Sequence, residues 1–234
     1  MEPNISFIAS LIGDSARSRM LMALLGGKAL TATELAVEAD ITPQTASSHL
    51  SKLVDGKLLV VRKQGRHKYF QLQGLAVAEL LEKLLNITSS FESPMKKTGP
   101  DDQGLRKARV CYDHLAGEFG VALYDALAKG GYIIDKASET MLTEKGLMFF
   151  NESGVNVDDF SKHKRPICKS CLDWSERRNH LAGLLGQWIL MDIFNRGWAT
   201  KNLDSRAILF TRSGEKSFCN KYGISGLSQS IKST

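Results

Sequence analysis

Several features that define large classes of protein are scarce or missing in this chain of 234 residues. It has four cysteines and five prolines, too few for a disulfide scaffold or a collagen-like fibre. Its apolar runs fall short of the roughly 18 residues that a transmembrane helix needs, and its N-terminus lacks the basic segment of a signal peptide. These absences predict a cytoplasmic protein with no membrane partner, whose cysteines are reduced thiols or ligands. The net charge of +6 permits an anionic partner without naming one.

A polar segment predicts how the chain is divided. Residues 88–104 hold two of the five prolines and are rich in Ser, Thr, Lys and Asp, so we interpret them as a linker. The linker separates an N-terminal domain, residues 1–87, from a C-terminal domain, residues 105–225. The Ser-rich stretch 226–234 is expected to be a flexible tail.

The N-terminal segment carries the start signals of two successive helices. Thr31 and Glu34 match a capping box that begins one helix, and Thr42, followed by Pro43, begins the next. Two helices joined by so tight a turn are typical of a helix-turn-helix. The second helix has one apolar face, and its opposite face is short, polar and almost free of acid. Such a face is suited to contact phosphates and base edges.

A predicted basic hairpin follows that helix. Residues 58–72 form two β-prone arms around a tip at Gly65, and a basic tip beside a helix-turn-helix can enter a DNA minor groove. Between Gln44 and Phe70 there are six Lys and Arg against one acidic residue, Asp55. We therefore predict that both elements contact double-stranded DNA. The predicted DNA-binding residues are Gln44, Thr45, Ser47, Ser48, His49, Lys52, Arg62, Lys63, Arg66, His67 and Lys68.

Three runs in these elements resemble the ArsR/SmtB family of bacterial winged-helix repressors: TASSHLSKL at 45–53, GKLL at 56–59 and GRHKYF at 65–70. The resemblance covers roughly residues 5–87. It implies a homodimer paired through the first and last helices of this segment. It also implies an operator with inverted repeats and repression that an effector relieves.

The metal-sensing positions of that family do not carry over to this chain. The third helix has no thiol, and Lys52 and Gly56 stand where one branch of the family has cysteines. The last helix has Glu79 and Glu82 but no histidine. A sensor, if present, is therefore expected in the C-terminal domain.

That C-terminal domain contains an internal repeat. The motif HLAG at 114–117 recurs at 180–183, and Gly131 and Tyr132 match Gly197 and Trp198. The matches predict two copies, about 108–160 and 174–225, each with a long helix, a short hairpin and a closing helix. The predicted fold class is mainly α with small β-hairpins: a winged helix-turn-helix domain and two helix-hairpin-helix repeats. The duplication either creates a ligand crevice between the copies or only enlarges the core or a dimer surface.

All four cysteines lie in the C-terminal domain. Cys111 and His114 are predicted to share a helix face, and Cys168 and Cys171 form a CxxC ahead of a helix bearing His180. Thiolate and imidazole ligands suit zinc or another soft divalent metal, so these five residues are candidates for an effector site. Two other interpretations stay open. One is a redox switch with thiol pKa values lowered at a helix N-terminus, and the other is inert burial.

Together these features predict a DNA-binding transcriptional repressor, not an enzyme, with no certain cofactor. Its effector is a metal ion, an oxidant or a small molecule that the C-terminal domain senses. One alternative is an architectural DNA-binding protein without an effector. The other is a CxxC thiol-disulfide enzyme, which leaves the N-terminal segment unexplained and lacks the expected βαβ pattern.

Overall fold

In the computed structural model the chain forms two compact units, Met1–Leu85 and Asn86–Thr234. The structure describes residues 5–91 except 66, residues 100 and 102–136, residues 139–160 and 163–202, and residues 205–225 and 227. Among these residues, no helix combines the length and the apolar character needed to cross a bilayer.

The N-terminal unit combines helices with a small antiparallel sheet. Its elements are α1 Ile5–Ile12, α2 Ser15–Leu24, β1 Leu30–Thr31, α3 Ala32–Ala39, α4 Pro43–Asp55, β2 Leu59–Gln64, β3 His67–Leu72 and the first part, to Leu85, of α5 Leu75–Phe91. The strand order of the sheet is β1-β3-β2. Helices α3 and α4 with the β2–β3 hairpin form the winged helix-turn-helix that the sequence predicts.

Local capping determines where the central helices begin. Thr31 and Glu34 form the predicted capping box of α3. Thr42 caps α4 by accepting a hydrogen bond from a backbone N–H of the first turn, and Pro43 occupies the first helical position. Asp40, with φ +54°, ends α3 in the left-handed conformation and turns the chain into α4. These predicted helix starts are confirmed.

One face of α4 anchors it in the unit. Ala46, Leu50 and Leu53, at helical spacing, are each at most 1% exposed. Burial of each leucine stabilises the fold by about 1.5–3 kcal/mol. The polar face of α4 is thereby held at the surface, because a helix buried along one stripe presents the opposite stripe to solvent.

The C-terminal unit alternates hairpins and helices. Its elements are α6 Gln103–Lys107, β4 Arg109–Cys111, β5 His114–Ala116, α7 Glu118–Lys129, β6 Ile133–Lys136, β7 Glu139–Leu142, α8 Glu144–Glu152, α9 Val157–Phe160, β8 Lys169–Leu172, β9 Asn179–Ala182, α10 Gly183–Asn195, β10 Ala199–Lys201, β11 Ile208–Phe210 and α11 Arg212–Tyr222. Consecutive strands pair as β4-β5, β6-β7, β8-β9 and β10-β11. Two copies of hairpin, helix, hairpin and helix result, with α7 packed against β9 and α10 against β5.

The repeating unit therefore differs from the predicted helix-hairpin-helix, because each copy begins with a hairpin. Cys111 and His114 are partners across β4 and β5 and do not share a helix, and His180 lies on β9 opposite Cys171 on β8. Two residues separate the first pair and eight separate the second. The second copy consequently begins at Lys169 and not near 174. Strands of three or four residues are too short for their periodicity to distinguish them from helix.

The boundaries of the predicted linker also differ from the structure. Helix α5 continues to Phe91 and α6 begins at Gln103, both within 88–104, while residues 92–99 and 101 lie outside the described residues. Ser and Thr weaken a helix without ending it, so the polar residues at 88–90 do not stop α5. Of the predicted tail 226–234, only Leu227 is among the described residues.

Candidate functional site

The outward face of α4 is the first candidate site. Gln44, Thr45, Ser47, Ser48 and Lys52 are all exposed. Ser47 Oγ donates to the Pro43 carbonyl at 2.9 Å, and the Thr45 hydroxyl lies 2.9 Å from that of Thr42. Because these two hydroxyls have local partners, Gln44, Ser48 and Lys52 are the better candidates for base and phosphate contacts.

His49 has a different position from the one predicted. Its ring is half-buried, and Arg17 Nη1 donates to His49 Nδ1 at 3.0 Å. The same guanidinium donates to the carbonyls of Leu11 and Ser10 at 2.7 and 2.8 Å. His49 thus connects α4 to the α1–α2 junction inside the unit. This contact accounts for the residue structurally and argues against the predicted DNA contact.

The β2–β3 hairpin presents a basic edge. Arg62, Lys63, His67 and Lys68 are exposed, and Lys63 stands directly opposite Lys68 in the strand register. Like charges opposite each other destabilise a strand pair unless an anion neutralises them. The tip turns at Gly65, whose φ is +57°, and Arg66 lies outside the described residues. The hairpin has the charge distribution of a phosphate-binding wing.

The second candidate site is a cluster of thiols and imidazoles, here termed the Cys/His cluster. It consists of Cys111, His114, Cys171 and His180, whose ligand atoms all lie within 4.8 Å of one another. Each copy of the repeat contributes one cysteine and one histidine from a single hairpin. Both imidazoles and Cys111 are buried, at 3% exposure or less, while Cys171 is half-buried.

A carboxylate lies beside each imidazole in the cluster. His114 Nδ1 donates to Asp113 Oδ1 at 3.1 Å, and His180 Nδ1 lies 3.3 Å from Asp173 Oδ2. The two Nε2 atoms point toward each other at 3.1 Å. In metal sites, the nitrogen of a histidine that does not bind the ion usually donates to a carboxylate or carbonyl in this way, which fixes the orientation of the ring.

An arginine neutralises each of these carboxylates. Arg165 binds Asp113 with both terminal nitrogens, at 2.5 and 3.0 Å. Arg109 Nη2 donates to Asp173 Oδ1 at 2.6 Å, and the Gly117 N–H donates to Asp173 Oδ2 at 2.8 Å. The carboxylates are thus fixed in place, and so are the rings that they orient.

The electrostatics of the cluster favour the charged forms of the side chains on the β8–β9 hairpin. A hydrogen bond with Cys111 and, against burial, the charge of His180 hold the pKa of the Cys171 thiol well below its usual range. Burial opposes the charged imidazole, yet Cys171 and Asp173 raise the pKa of His180 to about 9. Despite its burial, contacts with His180 and Arg109 keep the pKa of Asp173 well below its ordinary value.

Cys168 and Cys219 are not members of the cluster. Cys168 precedes β8, is 7% exposed within the apolar core, and its burial raises the pKa of its thiol to about 12. Burial also raises the pKa of the half-buried Cys219. The CxxC does not lie at a helix N-terminus, so that premise of the redox interpretation is wrong.

Four residues around the cluster were missed from the sequence: Arg109, Asp113, Arg165 and Asp173. The two carboxylates could have been found in the sequence, because a Cys-x-Asp motif occurs at 111–113 and again at 171–173. The motif is not apparent when the copies are matched at HLAG, since the second hairpin has the longer loop. No sequence pattern indicates the arginines, because Arg109 and Asp173 are 64 positions apart.

A surface cleft in the C-terminal unit is a separate feature. It has a volume of about 350 Å³, and charged side chains of both signs line it, among them Glu118, Asp125, Lys129 and Arg178. It is the kind of space that the predicted ligand crevice would require, although its lining is polar.

Comparisons with known proteins identify a matching family model and several similar proteins. A family model described as "Helix-turn-helix domain" matches residues 12–62. The chain is 39% identical over 218 residues to the HTH-type transcriptional regulator YdfF of Bacillus subtilis (strain 168), covering 93% of this chain and 96% of YdfF. It is 30% identical over 86 residues to the arsenical resistance operon repressor of Staphylococcus aureus, covering 37% of this chain and 82% of that protein. Among solved structures, it is similar to the winged helix-turn-helix domain of Mb0332 from Mycobacterium bovis, at 23% identity and a TM-score of 0.33, covering 37% of this chain and 78% of that one.

Proposed function

The chain belongs to the ArsR/SmtB family of DNA-binding, winged helix-turn-helix transcriptional regulators, and from that membership we propose a dimeric, cytoplasmic repressor that an effector releases from its operator. The observation that carries the proposal is the exposed polar face of α4, whose one acidic residue is Asp55 in its last turn, beside the basic edge of the β2–β3 hairpin. In this arrangement α4 enters the major groove and the hairpin tip approaches the adjacent minor groove.

Different residues on this surface have different tasks. Gln44 and Ser48 lie near the start of α4, where side chains of a recognition helix reach base edges. Lys52, one to two turns further on, together with Arg62, Lys63 and Lys68 of the hairpin, contacts phosphates and supplies sequence-independent affinity.

A dimer is supported by apolar side chains that the N-terminal unit leaves at its surface. Ile5 and Phe7 on α1 are 81% and 49% exposed, and Leu84 on α5 is 37% exposed. Large apolar side chains on the first and last helices are costly in water and are expected to be covered by a second copy. Two copies related by a twofold axis place their α4 helices about one DNA turn apart.

The C-terminal unit supports the effector part of the proposal. It holds the Cys/His cluster, which suits a metal ion or an oxidant, and the charged cleft, which suits a small molecule. An effector changes operator affinity only if it binds the two conformations of the dimer with different affinity.

Footprinting of the purified protein on fragmented genomic DNA tests this function. A repressor protects one or a few strong sites with twofold symmetry, and its affinity falls by orders of magnitude on unrelated sequence. An architectural protein instead protects many weak sites with little preference. That second pattern would contradict the proposal.

A further inference from the structure

We propose that Cys111, His114, Cys171 and His180 together bind one divalent metal ion of the zinc class in a tetrahedral site. As a metal site the proposal stands on the C-terminal unit alone. That the metal is the effector rests on the proposed repressor function.

The spacing of the four ligand atoms suits such an ion. Zinc binds sulfur at about 2.3 Å and imidazole nitrogen at about 2.0–2.1 Å, so ligand atoms in a tetrahedral site lie about 3.3–3.8 Å apart. The two Nε2 atoms are 3.1 Å apart and all four ligand atoms lie within 4.8 Å. Movements of less than about 1 Å per ligand atom complete the site.

The tautomers of the two imidazoles favour a cation between their Nε2 atoms. A carboxylate cannot donate, so the Asp113 contact places the proton of His114 on Nδ1, and Asp173 favours the same form of His180. With no proton or metal ion between them, the two Nε2 atoms would direct lone pairs at each other over 3.1 Å, which is repulsive. A shared proton satisfies this one pair of atoms, whereas a metal ion satisfies both imidazoles and both sulfurs.

The net charge of the residues around the site balances that of a divalent ion. Arg165 neutralises Asp113 and Arg109 neutralises Asp173. The two remaining charges in the filled site are those of the Cys111 and Cys171 thiolates, and the protons that the cluster holds without metal go to solvent on binding. Two thiolates and one divalent cation sum to zero, so the filled site avoids the large penalty for a buried net charge.

The interlocked copies preorganise the site. A Cβ on Gly120 would lie 3.4 Å from the Cβ of His180, and one on Gly186 would lie 3.3 Å from that of His114. The long helix of each copy therefore lies directly against the histidine of the other. A metal ion held by one Cys–His pair from each hairpin fixes the two copies together, and its loss releases them.

The donor set determines which ions are expected. Thiolate and imidazole in tetrahedral geometry favour Zn²⁺, Cd²⁺ and Co²⁺, while Mg²⁺ and Ca²⁺ require oxygen ligands. These hard cations also take about six to eight ligands, more than the four N and S atoms of the cluster supply.

Direct spectroscopy of the full chain tests the site without mutation. Reduced protein stripped of metal is titrated with Co²⁺, and the zinc-loaded protein is studied by X-ray absorption. We expect one ion per chain, intense visible bands of tetrahedral Co²⁺, thiolate-to-cobalt charge transfer, and two sulfurs at about 2.3 Å with two nitrogens at about 2.0 Å around zinc. A lack of stoichiometric uptake, leaving only an imidazolium–thiolate pair, would overturn the proposal, as would a shell dominated by oxygen.

Cysteine variants locate the ion. Cys171→Ser is expected to weaken Co²⁺ and Zn²⁺ binding at least 100-fold and to remove much of the charge-transfer band. Cys168→Ser, in the same CxxC, and Cys219→Ser are matched controls that retain binding within about twofold. Equal losses in Cys168→Ser and Cys171→Ser would place the ion elsewhere. If Cys171→Ser does not fold, the X-ray absorption result on the unmodified chain decides.

Operator binding separates the metal site from the repressor function. We expect Zn²⁺ or Cd²⁺ to change the operator affinity of the unmodified chain by about 5- to 150-fold, and to leave that of Cys171→Ser unchanged. If the chain binds metal but binds no operator, the repressor function is wrong and the metal site still stands. If the operator affinity is the same with and without bound metal, the metal is not the effector.

Discussion

Arg109, in the first strand of one copy, donates to Asp173, in the hairpin of the other copy, over 2.6 Å. The two side chains are 1% and 0% exposed, so this ion pair is almost completely removed from water. Asp173 also accepts from the backbone N–H and the hydroxyl of Ser175 and from the N–H of Gly117. The pair joins the two copies directly behind the Cys/His cluster, and the position of His180 depends on it.

We predict that Arg109→Met lowers the free energy of unfolding of the C-terminal unit by about 3–5 kcal/mol, because it leaves a buried carboxylate without its cation. All three tryptophans lie in this unit, so their fluorescence during urea unfolding, with chelator present, reports it selectively. Arg178→Met is the control, since its ion pair with Asp125 is 61% and 43% exposed and contributes less than about 1 kcal/mol. Equal effects of the two substitutions would contradict the prediction.

Asp113→Ala is expected to weaken metal binding by about 10- to 100-fold without removing a ligand. The substitution deletes the acceptor that orients His114 and the partner of Arg165. Competition with a chromogenic chelator measures the change. Asp125→Ala serves as the control, and an affinity for zinc within twofold of the unmodified chain in Asp113→Ala would show that the carboxylate has no positioning role.

On DNA, Lys52→Ala should weaken binding to all sequences and reduce the salt slope by about one unit, because one phosphate contact is lost. Gln44→Ala should instead alter base preference by about 1–3 kcal/mol. His49→Ala, a neighbour on α4 that contacts Arg17, should leave base preference unchanged. Competition binding on a randomised operator distinguishes the three, and uniform small effects would argue against this interface.

The double variant Ile5→Glu, Leu84→Glu is expected to be monomeric and to bind the operator at least tenfold more weakly, since charges replace apolar side chains at the proposed dimer surface. Sedimentation velocity measures the assembly. Met148→Glu, a change at a 65% exposed side chain on α8, should remain dimeric. A monomer from the α8 variant alone would instead place the dimer contact in the C-terminal unit.

The winged helix could be predicted closely because its signals are local. A capping box, a proline at the first helical position and an apolar stripe each depend on residues within about one or two turns of one another. Thr31, Thr42 and the buried face of α4 consequently have the roles that the sequence indicates. The basic hairpin could be predicted for the same reason, because two β-prone arms around a glycine specify their own pairing.

His49 shows the limit of that reasoning on the same helix. The sequence analysis counted it among the DNA-binding residues, but a side chain at the edge of the polar face can turn toward the unit when a partner is available. That partner, Arg17, is 32 residues away. The direction of such a side chain depends on tertiary packing.

The sequence by itself determined the helix-turn-helix, the basic hairpin, the duplication and the set of residue types able to hold a soft metal. Only the tertiary structure decided which of those residues meet. It brought Cys171 to the cluster and Cys168 to the core, and set His114 against His180, 66 residues apart. The physical reason is range: caps and periodicity act over a few residues, whereas the cluster forms only when two distant hairpins pack against each other's helices.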